Sequence, residues 1–134
     1  MIHLLIDYES IQPRHLETWA DKDTHVTVFV GAHQDGLPCD FVAELQALGS
    51  RARYVKIARA GKNALDFHLA FYLGELAARD PTATFRVMSR VGGFDALIAH
   101  LLARGLAVER ISSEAPPSDE STKPTETADP EDLP

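Results

Sequence analysis

The sequence contains a single cysteine, fewer basic than acidic residues, and no long apolar stretch. Cys39 has no partner within the chain, which excludes a disulfide-stapled module. No apolar run approaches the roughly 20 residues of a membrane helix, and the first residues lack the basic start and long apolar stretch of a signal peptide. A length of 134 residues suits one small domain. We therefore expect a soluble, cytoplasmic protein with no membrane and no disulfide partner.

The acidic charge is concentrated at the C-terminal end. Residues 112–134 hold seven of the acids, one base and five of the eight prolines. Such a composition predicts a disordered tail, because too little apolar surface is available to offset the entropy of ordering. The tail is either a solubilising extension or an acidic arm that occupies a basic groove or docks elsewhere. Residues 1–111 hold 13 acids and 12 bases, so the predicted domain carries no strong electrostatic signature of nucleic-acid binding.

Strand-like and helix-like segments alternate along residues 1–111. This alternation predicts an α/β fold with a parallel sheet covered by helices on both faces. The predicted strands are Ile2–Ile6, Val26–Val30, Arg53–Ile57, Phe85–Met88 and Ala107–Ile111, and the predicted helices are Pro13–Ala20, Asp40–Leu48, Ala64–Arg79 and Phe94–Arg104.

Carboxylates follow three of the predicted strands. In sheets of this kind, ligands bind beyond the carboxyl ends of the strands, where Asp7, Asp66 and Asp95 would lie. Gathered carboxylates repel one another unless a cation lies between them, and their oxygens suit a hard ion such as Mg²⁺. Such an ion orients a water and lowers its pKa. The hypothesis is phosphodiester hydrolysis by a metal-activated water.

Each acid also has a simpler interpretation. Asp66 can complement the dipole of its helix with Asn63 as the N-cap residue, and Asp95 can cap the helix that starts at Gly93-Phe94. Asp7 ends a wholly apolar strand and has no capping role nearby. Glu9 is interpreted as a solvated or outer-shell acid.

Several other site templates are not matched. The first predicted strand is not followed by the glycine pattern of a dinucleotide fold, and Gly61-Lys62-Asn63 lacks the spacing of a P-loop. The histidines show no zinc spacing, so we interpret His68 and His100 as packing or surface residues.

Several segments at the strand ends form a recognisable pattern. They are Ile6 to Glu9, Phe29 to Gly31 with Gln34, Gly61 through His68, Tyr72 to Gly74, and Ser89 to Asp95. These segments resemble the bacterial PIN-like domains of the PIN and NYN nuclease superfamily. Gly61 through His68 is the most specific stretch of the resemblance, which spans essentially residues 1–111. The resemblance implies a three-layer α/β sandwich with strand order 3-2-1-4-5. It also implies an acidic Mg²⁺ or Mn²⁺ site and cleavage of single-stranded RNA.

The resemblance also implies roles for individual residues. Asp7, Asp66 and Asp95 match acidic positions and are the expected catalytic and metal-binding residues. Substrate contacts are expected from Lys62, Asn63, Ser89, Arg90 and Gln34, with Glu9 and Ser10 in supporting positions. Ser10 replaces an expected Asn, and Val91 replaces an expected metal-site carboxylate.

Two functions follow from this pattern. The first is a divalent-metal-dependent endoribonuclease, whose activity the valine at position 91 is expected to weaken. The alternative is a catalytically degenerate PIN-like domain that binds RNA or a protein partner as a regulatory module. Formation of a homodimer is expected by analogy with other small domains of this kind.

Overall fold

A computed structural model describes residues 1–113 and centres on a five-stranded sheet whose neighbouring strands are all parallel. The order is β3-β2-β1-β4-β5, which confirms the predicted α/β sandwich. The strands are β1 (Ile2–Asp7), β2 (Thr24–Val30), β3 (Ala52–Lys56), β4 (Thr84–Met88) and β5 (Ala107–Ile111), and the helices are α1 (Cys39–Ala47), α2 (Ala64–Arg79) and α3 (Phe94–Ala103).

Strand β1 occupies the middle of the sheet, between β2 and β4. All of its residues after Ile2 are buried, because a central parallel strand is covered on both faces and therefore needs an apolar run. The ladder ends with Ile6 opposite Met88 and Asp7 opposite Phe29. Asp7 is thereby placed at the carboxyl edge of the sheet, at its centre.

Apolar clusters lie on both sides of the sheet. One cluster joins α2 and α3 to the sheet through residues such as Leu69, Leu73 and Phe85. The other covers the opposite face and contains Phe41 of α1 together with Leu16. The sheet is thus the middle layer of a sandwich, and its carboxyl edge stays open between the layers.

The predicted helix from Pro13 to Ala20 is wrong. Only Leu16–Thr18 form a single 3₁₀ turn there. His15 precedes it with φ −127° and ψ 67°, outside the helical region, so the backbone does not continue into a longer helix. Leu16 and Trp19 are buried instead, and the β1–β2 connection covers the sheet by anchoring these two side chains.

Residues 114–134 lie outside the described residues, and with them almost all of the predicted acidic tail. None of the helices within residues 1–113 is long and apolar enough to cross a bilayer.

Candidate active site

A cavity of about 370 Å³ opens at the carboxyl edge of the sheet. Its wall is built from the ends of β1 and β2, the connection between β3 and α2, and the first turn of α2. The lining residues are Asp7, Glu9, Ser10, Ala32, His33, Ile57, Ala60, Gly61, Asn63, Ala64, Leu65, Asp66 and Val91. The structure therefore brings Asp7 and Asp66 to one cavity, although 59 positions separate them in sequence.

The Asp7 carboxylate is the most deeply placed polar group of the cavity, with only 2% of the residue exposed. The Ser89 hydroxyl donates a 2.8 Å hydrogen bond to Asp7 Oδ2, and the Ser10 amide donates one of 3.2 Å to Oδ1. Burial raises the pKa of Asp7, and the negative charges of Asp66 and Glu9 raise it further against these two bonds. The folded chain thus holds a carboxylate under conditions that favour a cation beside it.

Ser89 connects Asp7 to the loop after β4. Its hydroxyl accepts a 3.0 Å hydrogen bond from the Val91 amide while donating to Asp7. In the same loop, the Arg90 amide donates to Ser10 Oγ at 2.7 Å and its guanidinium donates to the Ser10 carbonyl. Ser89 and Arg90 were both predicted to bind substrate. In the structure, their hydrogen bonds connect the end of β4 to the end of β1.

Asp66 projects from the first turn of α2 into the cavity. Burial raises the pKa of Asp66, and the negative charge of Glu9 raises it further. Asn63 precedes the helix with a left-handed backbone, at φ 59°, and makes no capping hydrogen bond through its side chain. Asn63 is the N-cap residue of α2, as the sequence predicted, and it lines the cavity beside Asp66.

Glu9 reaches the cavity because the residue directly after β2 is a glycine. A Cβ at Gly31 would lie 1.9 Å from Glu9 Oε2 and 2.7 Å from its Cγ, so a side chain there would displace the glutamate. Gln34 fixes the same corner: its side-chain oxygen accepts from the Gly31 amide at 2.8 Å, and its nitrogen donates to the Tyr8 carbonyl at 3.1 Å. Gln34, a predicted substrate contact, uses its side-chain amide in this link between the ends of β1 and β2.

Asp95 does not line the cavity. Its two oxygens accept hydrogen bonds of 2.7 and 3.0 Å from the Arg110 guanidinium, which also donates to the Ser89 carbonyl at 3.0 Å. A bidentate Arg–carboxylate pair satisfies the oxygens that a metal ion would use. The N-cap residue of α3 is Gly93, and Asp95 lies in the first turn of that helix. Lys62 is exposed beside the cavity mouth, outside the lining.

With Asp95 outside the cavity, the carboxylates of Asp7 and Asp66 suit a hard divalent ion that takes few protein ligands. Residues 1–113 contain no group of three or more His, Cys, Asp or Glu side chains placed to hold a metal. Mg²⁺ keeps several waters and commonly takes one or two carboxylates directly. Asp7 and Asp66 fit such an ion, because the charge of Asp66 disfavours ionisation of Asp7 until a cation offsets it, and Val91 adds no oxygen to them.

His33 is a cavity residue that the sequence analysis did not single out. It is exposed on the cavity wall, three residues after the end of β2, where its ring can donate a hydrogen bond to an oxyanion. Its place shortly beyond a strand end was the available signal, but histidine spacing in the sequence carries no information about which rings share a cavity.

Comparison with known proteins identifies the family to which the chain belongs. A family model described as PIN domain matches residues 1–111, which is most of the chain. The chain belongs to the PIN-domain family. A search of curated proteins gave no match. The family assigns a nuclease-type fold to this PIN domain, and PIN domains generally depend on divalent metal ions. The cavity with Asp7 and Asp66 lies within the matched residues, at the edge of the sheet where ligands of parallel α/β folds bind.

Proposed function

We propose that this PIN domain is a divalent-metal-dependent endoribonuclease that hydrolyses phosphodiester bonds of single-stranded RNA. The observation that carries the proposal is the convergence of Asp7 and Asp66 in one open cavity, each with a raised pKa caused first by burial. A bound Mg²⁺ or Mn²⁺ would lower the pKa of a water and stabilise charge on phosphate oxygens.

In this proposal, different residues hold the metal ion, orient its ligand and donate hydrogen bonds to the phosphate. Asp7 and Asp66 hold the ion, and Ser89 fixes the orientation of the Asp7 carboxylate through its 2.8 Å hydrogen bond. Glu9 lies close enough to raise the pKa of both aspartates, so it strengthens the attraction of the cavity for a cation. His33 and Asn63 offer hydrogen-bond donors to the phosphate at the cavity wall.

Asp95 has a positioning role in this proposal. Its pair with Arg110 holds the guanidinium that donates to the Ser89 carbonyl. The pair therefore stabilises the β4 end on which Ser89 and Val91 lie, and Asp95 reaches the reaction only through them.

The decisive experiment is cleavage of an end-labelled single-stranded RNA with Mn²⁺ or with EDTA. We expect cleavage by the wild-type chain with Mn²⁺, and its loss in Asp7→Asn and in Asp66→Asn. Asp40→Asn removes an exposed acid on α1, away from the cavity lining, and serves as the matched control. Cleavage that persists in EDTA or in Asp7→Asn contradicts the proposal.

A second candidate is a degenerate PIN domain that binds RNA or a protein without cutting it. Val91 favours this candidate, because it contributes an apolar side chain to the cavity where the resemblance leads us to expect a carboxylate. Val91→Asp distinguishes the two. An inactive wild type that gains Mn²⁺-dependent cleavage through this change is a nuclease fold disabled at one position. An active wild type makes Val91 a tolerated variation.

A further inference from the structure

Two large apolar side chains are exposed on α2, the helix whose first turn lines the cavity. Phe67 follows Asp66 in sequence and is 70% exposed, and Phe71 is 63% exposed. Residues four apart on a helix lie one above the other on the same face, so the two rings form one patch. Single exposed apolar residues are common, but paired rings next to a polar cavity point to an interaction surface.

The patch continues from Phe71 through the neighbouring Tyr72 to Arg53 on strand β3. The Phe71 and Tyr72 rings meet edge to face at 5.2 Å between centroids, and the Arg53 guanidinium of β3 lies 5.2 Å from the centre of the Tyr72 ring. We call Arg53, Phe67, Phe71 and Tyr72 the aromatic strip. It runs from the first turn of α2, at the cavity, towards the edge strand β3.

The chain beside the aromatic strip is strongly basic. Residues 51–62 contain five Lys and Arg residues and no acid, within a domain whose total charge is close to neutral. Arg59 and Lys62 are exposed in the connection between β3 and α2, next to the cavity residues Ala60 and Gly61. Within residues 1–113 neither forms an ion pair, so both can meet an anionic ligand.

We propose that the aromatic strip, with Arg59 and Lys62, is a binding track for single-stranded RNA continuous with the cavity. Bases stack on Phe67 and Phe71, while the cations contact the phosphates between them. Exposed rings combined with positive charge are the means by which proteins bind single strands without reading their sequence. The positive charge and the continuity with the cavity favour a nucleic acid over a protein partner. The track rests on the proposed function for its substrate, but it is tested by binding alone.

The test is fluorescence anisotropy with the full chain carrying Asp7→Asn, in EDTA, so that no RNA is cut. The probe is a labelled single-stranded RNA of about 12 nucleotides, within the length that such surfaces cover. Phe67→Ala and Phe71→Ala are each expected to weaken binding at least about fivefold, and the double variant more strongly. Phe67→Trp should keep the affinity, because tryptophan also stacks. Leu102→Ala removes a residue on α3 that is 51% exposed and should change nothing.

The track is overturned if RNA affinity is unchanged in the double variant, or if the parent chain does not bind RNA. If RNA affinity is unchanged and the double variant also turns a dimer into a monomer in sedimentation, the rings cover a second copy of the chain instead. Failure of the proposed function looks different: the wild-type chain binds RNA through the strip but does not cut it with Mn²⁺.

Discussion

Removal of the Ser89 hydroxyl should destabilise the fold mainly through the charge on Asp7. Ser89 is fully buried, and its hydroxyl both donates to Asp7 Oδ2 at 2.8 Å and accepts from the Val91 amide. A hydrogen bond to a charged group contributes about 1.5–3 kcal/mol, against about 0.5–1.5 kcal/mol between neutral groups. We therefore expect Ser89→Ala to lower the free energy of unfolding by ~2 kcal/mol at pH 7.

The cost of Ser89→Ala should depend on whether Asp7 is ionised. The Ser89 bond favours the charged carboxylate, which is why it opposes the burial that raises the pKa of Asp7. The loss should shrink as the pH falls through the raised pKa of Asp7, and it should shrink to ~1 kcal/mol at pH 7 in an Asp7→Asn background. Urea unfolding of the four chains of this double-mutant cycle measures both effects. A loss of equal size in the wild-type and Asp7→Asn backgrounds refutes the role of the charge.

Three further predictions concern the same edge of the sheet. Asp7→Asn should stabilise the fold at pH 7. Because the folded chain binds the Asp7 proton more tightly than the unfolded chain, stability falls as the pH rises from the ordinary value of 3.8 through the raised pKa, so the gain in melting temperature should vanish towards acid pH. Gly31→Ala should change the free energy of unfolding by less than about 1 kcal/mol, since the exposed Glu9 side chain can rotate away. The same substitution should weaken Mn²⁺ binding, because the Glu9 carboxylate then leaves the cavity. Unaltered Mn²⁺ affinity would contradict the placement of Glu9. Arg110→Gln should lower RNA cleavage by loosening the β4 end, and Asp95→Asn should do the same to a smaller degree; full activity in both variants would leave the Asp95–Arg110 pair without a role.

The architecture followed from local patterns in the sequence. The apolar run of Ile2 to Ile6 and the strand–helix alternation after it predicted a parallel sheet, and the family resemblance added the strand order that the structure confirms. The convergence of Asp7 and Asp66 followed from the same reasoning, since the carboxyl ends of parallel strands meet at one edge. Because β1 is the buried central strand, its last residue, Asp7, lies at the carboxyl edge of the sheet.

Contacts between distant residues could not be predicted in this way. The pair of Asp95 with Arg110 depends on the adjacency of β4 and β5 and on the direction of two side chains, neither of which leaves a periodic signal. The same holds for Glu9, whose access to the cavity depends on the missing side chain of Gly31. A helix was predicted after Pro13 because proline suits the first turn of a helix. That preference is weak, and burial of Leu16 in a short 3₁₀ turn outweighs it.

The most direct test of the metal site is titration of the full chain with Mn²⁺, followed by the loss of the free-ion signal in electron paramagnetic resonance. We expect saturable binding of one ion by the wild-type chain, strong weakening in both Asp7→Asn and Asp66→Asn, and at most slight weakening in Asp95→Asn, which acts on Asp7 only through Arg110 and Ser89. Wild-type affinity in Asp7→Asn, or no saturable binding by the wild-type chain, would contradict a metal centre built on Asp7 and Asp66.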